Sequence, residues 1–517
     1  MRHALLFSVF VIASCGLAYE LIAAALASYL LGDSVMQFST VIGTYLFAMG
    51  VGSWLSKYIT RDLIGRFIQI ELMVGLLGGF SAVGLFVVFT WLEAPFKLVL
   101  YLMVLGVGVL VGLEIPLVMR ILERELPFKE LVAQVLTFDY LGALVVSIMF
   151  PLILAPYLGM VRTGLLFGLM NVAVALWALH LFRDQLLAKN WLATQSWAVF
   201  LTLAVGFSAA GYLTTLAENH LYTDEIVHAE STPYQRIVVT RWRDDTRLFL
   251  NNNLQFSSHD EYRYHEALVH PGLANLPGAK RVLVLGGGDG LAVREVLKYP
   301  NVESVTLVDL DPAMTDLFST APQLVALNAG ALKSDRVKVV NADALQWLEE
   351  NREFYDFIVI DFPDPANFAL GKLYTSAFYR LLEKRLSARG LIVVQSTSPL
   401  YARQSFWCVV TTLEDVGFKT APYHALVPSF GEWGFILAGR QEITIAQKPV
   451  EVPNAVPQGD FLRGAVHWPK TRFLTPEILP DLFRFPADMA RVPTEVNQLN
   501  NQVLVRYFEA EWRKVIR

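Results

Sequence analysis

Hydrophobic positions along the chain follow two regimes. Up to about Glu218 they form long unbroken blocks; beyond it they come in short runs divided by polar turns. Seven blocks are long enough to cross a bilayer, near Ala4–Leu31, Phe38–Ile59, Phe67–Leu92, Phe96–Met119, Phe138–Tyr157, Val161–Phe182 and Ser196–Ala217. Gly75, Gly78, Gly79 and Gly84 in the third block and Gly106, Gly108 and Gly112 in the fourth predict close helix contacts in a compact bundle. Pro116, Pro151 and Pro156 predict kinks. The first block carries Glu20 and leads straight into further blocks, so it reads as a retained span rather than a cleaved leader.

The second half predicts a different architecture. Alternating strands Arg236–Thr240 and Arg247–Leu250, with a turn at Asn251-Asn252-Asn253, suggest a small antiparallel subdomain, followed by a helix from Asp260 to about His270. A doubly wound pattern comes next. Buried strands are expected at Arg281–Leu285, Ser304–Val308, Val337–Val340, Phe357–Ile360 and Leu391–Gln395, with helices between them, the first at Leu291–Lys298. The organisation is therefore a transmembrane helical domain over 1–220, a small β subdomain over 221–275, a Rossmann-like α/β domain of methyltransferase type over 276–446, and an extension over 447–517 with a helical stretch at Asn497–Val515.

Composition supports this division. The 517 residues are 54% hydrophobic and 17% charged, and the mean hydropathy of +0.43 is too high for an ordinary soluble chain. Net charge is −5. No basic block points to nucleic acid, so that partner is not expected. Cys15 and Cys408 have neither a disulfide framework nor metal-ligand spacing, and no metal is expected.

Glu20, Glu71, Glu114 and Asp139 lie in or at the ends of the apolar blocks. Such acids face a bundle interior or an interface. They read either as a cation path or polyamine site, or as paired, protonated or headgroup-level structural acids. Basic residues cluster in alternate loops: Arg2, then Lys57, Arg61 and Arg66, then Arg120, Arg124 and Lys129, then Arg183 and Lys189. The positive-inside rule puts the N-terminus in the cytoplasm, and seven crossings would then put the second half outside.

The candidate chemistry lies at the strand ends. Gly286-Gly287-Gly288-Asp289-Gly290 joins a strand to a helix, and Asp309 ends the next strand. Backbone can approach a ligand at such a glycine turn, and an acid about 20 residues on can accept ribose hydroxyls. The alternative for Asp309 is a turn or capping acid ahead of Asp311-Pro312. Asp343 either reads an adenine amino group or caps the helix starting at Ala344. Asp289 would repel the carboxylate of an intact S-adenosylmethionine tail and attract its ammonium, which suits a decarboxylated tail; its alternative is a turn-stabilising role.

These residues resemble spermidine synthase and related aminopropyltransferases from about Ser231 to Ala438. The resemblance rests on Thr232-Pro-Tyr-Gln-Arg236, Gln255, Asp260-Glu-Tyr-Arg-Tyr-His-Glu266, Gly286–Gly290, Val308-Asp309, Asp343 and Asp361-Phe-Pro-Asp-Pro365. With the preceding spans, the chain is similar to the membrane-fused bacterial branch of that family. The resemblance implies transfer of an aminopropyl group from decarboxylated S-adenosylmethionine, the co-substrate, to a diamine such as putrescine, with no permanently bound cofactor. It implies that Gln235, Gly286, Gly288, Asp309, Asp343 and Ala344 hold the thioadenosine part. His265 and Asp289 would contact the amine portion, Asp361 would take the proton, and Asp364 would help hold the diamine. The alternative for His265 is a structural pair with Glu266. The resemblance also implies a multi-pass inner-membrane protein with a cytoplasmic catalytic domain, against the crossing count, and by analogy a homodimer.

Two departures from the family pattern stand out. Ala366–Gly371 lacks the usual glycine-proline pair, and Phe362-Pro363 replaces small hydroxyl residues between the aspartates; both are expected either to alter which amine fits or to weaken activity. Tyr401, Trp407, Trp433 and Pro428–Phe435 are candidates for the amine pocket, or are core. Two other functions remain open: a polyamine transporter or sensor whose second half binds without turnover, and another S-adenosyl-dependent transferase.

Overall fold

A long apolar block in lipid can satisfy its backbone only as a helix, whereas short buried runs alternating with helices stack as a parallel sheet. Both outcomes occur in the computed structural model, which describes residues 2–31, 35–91, 96–123, 127–222, 224–443 and 468–515. The chain divides into two units, Met1–Thr240 and Arg241–Arg517.

The first unit holds helices Arg2–Leu31, Val35–Leu55, Leu63–Gly79, Ser81–Trp91, Phe96–Leu122, Phe128–Met149, Gly159–Leu181 and Lys189–Leu221. Among the described residues, six stretches are long and apolar enough to cross a bilayer, one of them the 54-residue Phe128–Leu181. That stretch contains two of the seven predicted blocks. Where a loop would separate them, the chain continues as a π-helical segment, Phe150–Leu158, and breaks only at Gly159, where φ is +74°. Pro151 and Pro156 fall within this segment and offer no N–H to an α-helical ladder, so the wider winding sits where they do. Helices Val35–Leu55 and Phe96–Leu122 touch backbone to backbone. A Cβ on Gly112 would lie 2.1 Å from the Met49 carbonyl oxygen, and one on Gly52 would lie 2.0 Å from that of Val109. Strands β1 (Glu225–Ser231) and most of β2 (Arg236–Trp242) complete this unit.

The second unit opens with a hairpin, β3 (Asp245–Leu250) and β4 (Asn253–Ser257). Asn251 and Asn252 take φ of +48° and +66°, the left-handed pair that a two-residue hairpin turn requires and asparagine tolerates. Helix Glu261–Leu273 leads into the main sheet. Its strands are β5 (Arg281–Gly286), β6 (Ser304–Asp309), β7 (Val337–Asn341), β8 (Tyr355–Asp361), β9 (Leu386–Gln395), β10 (Lys419–Val427) and β11 (Gly431–Gly439). Their order is β10-β11-β9-β8-β5-β6-β7. Neighbours among β5 to β9 run parallel, while β11 runs antiparallel to β9 and β10. Val282–Leu285 and Phe357–Ile360 are fully buried, as central strands covered on both faces must be. The β10–β11 pair has no counterpart among the strands expected from sequence.

The proposed domain boundary at residue 447 lies outside the described residues. The described part of the extension, 468–515, packs on the sheet unit. Glu266 accepts N–H groups from Arg472 at 2.6 Å and from Phe473 and Leu474 at 2.8 Å. Asn497, fully buried, donates from Nδ2 to the carbonyls of Gly371 at 3.2 Å and Tyr374 at 3.0 Å, and accepts from the Leu504 N–H at 3.3 Å. The helix of the extension begins at Val503 rather than Asn497, because Asn497 is spent on these contacts. Replacing Asn497 with Leu strands two buried carbonyls, at a cost of about 1–3 kcal/mol each. Hydrogen exchange of the amides from Gly371 to Ser376 should accelerate in that variant; unchanged exchange would show that the extension does not hold this loop.

Candidate active site

Strand order reverses beside β5, with β6 on one flank and β8 on the other. The loops after β5 and β8 therefore diverge and leave a crevice at the strand C-termini, the usual ligand position in such sheets. Register places Gly286, at the end of β5, opposite Asp361, at the end of β8. The glycines are required by that closeness. Gly286, Gly287 and Gly290 take φ of +78°, +66° and +74°. A Cβ on Gly286 would sit 2.3 Å from the Asp361 carbonyl oxygen, and one on Gly288 would sit 2.7 Å from Asp309 Oδ2.

Asp309 is held by two backbone donors: the Gly288 N–H to Oδ2 at 3.0 Å and the Asp311 N–H to Oδ1 at 2.9 Å. Burial raises its pKa to about 6 despite those bonds. Asp289 accepts the Leu291 N–H at 2.9 Å, so the turn-stabilising role is real, and burial raises its pKa to about 6. Asp343 caps helix Ala344–Glu350 through the Leu345 and Gln346 N–H groups, at 2.9 and 3.3 Å. Its other oxygen lies 2.7 Å from Lys372 Nζ, a partner with no signal in the sequence. Burial raises its pKa, but Lys372 and the two N–H groups outweigh burial and hold it below the usual range. Ala344 is buried at the start of that helix.

Asp361 Oδ1 accepts the Tyr264 hydroxyl at 2.6 Å. Burial raises the Asp361 pKa, against the charge of His265 and the Tyr264 bond. Asp364 is raised by burial to about 7. Both carboxylates are crowded by protein yet only half-buried by accessible surface, as befits the floor of a cleft. His265 does not pair with Glu266. Its Nδ1 lies 2.8 Å from Glu261 Oε2, one helical turn back on the same face, while Glu266 faces the extension. Arg294 grips Glu261 with two bonds, at 2.9 and 2.8 Å. Burial alone would lower the His265 pKa, but Glu261, then Asp289 and Asp361, raise it to about 9, so the ring is an imidazolium at neutral pH.

Asp289, Asp309, Asp361, His265 and the glycine turn are thus electrostatic neighbours, with Asp364 on the loop that leaves β8. Gln235 belongs to the first unit, where its N–H donates to Thr232 Oγ1 at 3.0 Å. Tyr264 lies within a motif quoted above but has no role readable from sequence; helical spacing alone does not show that it reaches β8.

Phe362 is buried and packs in the core on Tyr374 and Phe378, at ring distances of 6.4 and 5.8 Å. Its bulk therefore fills core space, with one ring edge against the glycine turn. The Phe362 and Pro363 carbonyls accept the Tyr374 hydroxyl, at 3.2 and 3.1 Å. Among the candidate aromatic residues, Trp407 is core, with its indole N–H on the Met489 carbonyl, and Tyr401 sits against Trp512. Trp433 donates to Gln395, and Phe430 and Phe435 pack around Tyr264 beside Asp361.

Residues 261–448 match the family model described as the spermine/spermidine synthase domain. Polyamine aminopropyltransferase 2 of Ralstonia nicotianae is 57% identical over 519 residues, covering 99% of each chain. The polyamine aminopropyltransferase of Leptospira interrogans is 52% identical and covers 100% of each chain. Among solved structures, spermidine synthase in complex with the transition-state analogue AdoDATO aligns with 51% of this chain and 86% of its own, at 23% identity and a TM-score of 0.45.

The glycine geometry yields a direct test. Gly286→Ala forces a left-handed backbone onto a side chain that meets the Asp361 carbonyl, and should lower stability by about 1–3 kcal/mol or more. Gly278, where an added methyl group would meet nothing within 4 Å, is the control. A Gly286→Ala chain with the thermal midpoint of Gly278→Ala would contradict the close approach of β5 and β8.

Proposed function

This chain belongs to the spermine/spermidine synthase family, and on that premise we propose that its second unit transfers an aminopropyl group from decarboxylated S-adenosylmethionine to a diamine, with putrescine as the acceptor. The observation that carries this reading is the pairing of Gly286 with Asp361, with Asp289 and Asp309 beside them. In the proposed arrangement the ribose hydroxyls bind Asp309, the adenine lies by Asp343 and Ala344, and the ammonium of the decarboxylated tail meets Asp289. An intact tail would bring its own carboxylate against Asp289, which disfavours ordinary methyl transfer.

The reaction is a displacement at carbon. The neutral amine nitrogen attacks the methylene beside the sulfonium, a C–N bond forms, and the C–S bond breaks. Its electron pair returns to sulfur as methylthioadenosine leaves. A diamine is largely protonated at neutral pH, so a base must accept the proton. Asp361 lies at the strand end where the attacking amine would sit, and Asp364 supplies charge for the diamine. Tyr264, donating to Asp361, orients that carboxylate. His265, already cationic, serves better as a fixed counter-charge to Asp289 and Asp361 than as a ligand for an ammonium.

We also propose that the first unit spans the membrane and that the second unit faces the cytoplasm, where its co-substrate is made. The apolar helices support the first statement. The side depends on whether the last helix, Lys189–Leu221, crosses fully. A C-terminal fluorescent-protein fusion should fluoresce in cells, and a C-terminal alkaline phosphatase fusion should be inactive. The reverse pattern would place the second unit outside.

Methylthioadenosine release, measured with a diamine panel, tests the activity. Asp361→Asn should lower kcat by about 10²–10⁴-fold, the usual share of a general base; an unaltered kcat would remove Asp361 from the mechanism. The pH profile gives a separate check. Asp289 near 6 and Asp364 near 7 must be ionised to hold ammonium groups, and Asp361, also raised by burial, must be ionised to take the proton. kcat/KM should therefore rise as pH climbs through about 6–7. Tyr264→Phe removes a donor that favours ionised Asp361, so its ascending limb should move to higher pH. A limb that stays in place would show that Tyr264 does not act on Asp361.

A further inference from the structure

We propose that the helical unit contains a second cationic site, built by Glu71 and Glu114 with Asn171 and Tyr19, that binds an ammonium group of a polyamine. Glu71 lies on helix Leu63–Gly79 and Glu114 on helix Phe96–Leu122, and both are buried, at 0% and 1% exposure. Among the described residues, none of their four carboxylate oxygens has a hydrogen-bond partner, and no ion pair reaches them. The Tyr19 hydroxyl and both polar atoms of Asn171 are likewise buried and without partners.

These side chains share one neighbourhood. Glu114 feels the charge of Glu71, and both act on Cys15 and Tyr19 of the first helix. The Cys15 thiol bonds the Phe167 carbonyl at 3.5 Å, one turn before Asn171. Glu71, Gly75 and Gly78 follow one another along one helix face. A Cβ on Gly75 would lie 3.3 Å from the Asn171 Cβ, and one on Gly78 would lie 2.6 Å from Tyr19 Cζ. The glycines thus draw Asn171 and Tyr19 onto the face that carries Glu71.

Two buried carboxylates without a countercharge are too costly to stay ionised alone. A purely structural pair of protonated acids would donate to each other or to a carbonyl, and neither does. An ammonium group carries three donors and no acceptor. Here it would find carboxylate, amide and phenol oxygens, all unengaged. No buried lysine or arginine competes among the described residues of this unit. The choice of a polyamine over a metal cation rests on the proposed function, whose acceptor and product are such amines. The site would let the membrane unit bind the substrate or product of the attached enzyme.

Equilibrium binding of radiolabelled spermidine to the purified full chain tests this. In an Asp289→Asn/Asp361→Asn/Asp364→Asn background, which removes the carboxylates proposed to hold amines in the transferase cleft, binding should persist, and it should be lost on adding Glu71→Gln and Glu114→Gln. Glu71→Gln/Glu114→Gln alone should still release methylthioadenosine, which also reports on folding. Binding that survives the Gln changes would overturn the proposal, as would no binding in the Asn background. Should the Gln variants fail to fold, the wild-type chain answers. Dicyclohexylcarbodiimide modification of Glu71 and Glu114, read by peptide mass spectrometry, should be lost in the presence of spermidine and not of sodium. Equal modification with and without spermidine, or protection by sodium alone, would overturn it. Absent turnover leaves both readouts intact, so failure of the transferase reading is distinguishable.

Discussion

The register of two parallel strands governs the second unit. Gly286 and Asp361 lie side by side at the ends of β5 and β8, where strand order reverses. The backbone of the glycine turn therefore runs against the backbone and side chain of the central acid. Only glycine fits there, both for its positive φ and because a methyl group at 286 would overlap the Asp361 carbonyl. Asp309 joins the same arrangement through its bond to the Gly288 N–H. The glycine turn, Asp309 and Asp361 are thus one construction rather than three sites.

Charge follows from that construction. Asp289, Asp309, Asp361 and Asp364 crowd one crevice, and burial raises the pKa of each. His265 offers the nearest fixed positive charge, and it is itself held by Glu261, which Arg294 grips in turn. Acid exceeds base, and a sulfonium carrying an amine tail, with a diamine beside it, would supply what is missing. The first unit repeats the theme in apolar surroundings, where Glu71 and Glu114 have no hydrogen-bond partner among the described residues.

Much of this is legible in the sequence because it is local. The order strand, glycine turn, helix, strand and acid locates Asp289 and Asp309, and the end of β8 locates Asp361. What escapes a reading of the sequence depends on distance along it. Tyr264 reaches Asp361 across 97 positions, and Lys372 reaches Asp343 across 29. Glu266 is the wrong partner for His265 because adjacent helical residues point apart, whereas Glu261, four back, shares its face. Phe362 looks like a cleft residue beside two aspartates, yet its ring is buried in the core on Tyr374 and Phe378. The extension's hold on Glu266 and on Gly371 has no local signal at all.

The most direct measurement is an experimental structure of the chain with a bisubstrate analogue joining thioadenosine to a diamine. The account places the ribose hydroxyls on Asp309, the glycine turn along the sulfur, and the amine nitrogens among Asp289, Asp361 and Asp364. An analogue seated elsewhere, or one whose amines point away from those three carboxylates, would contradict it.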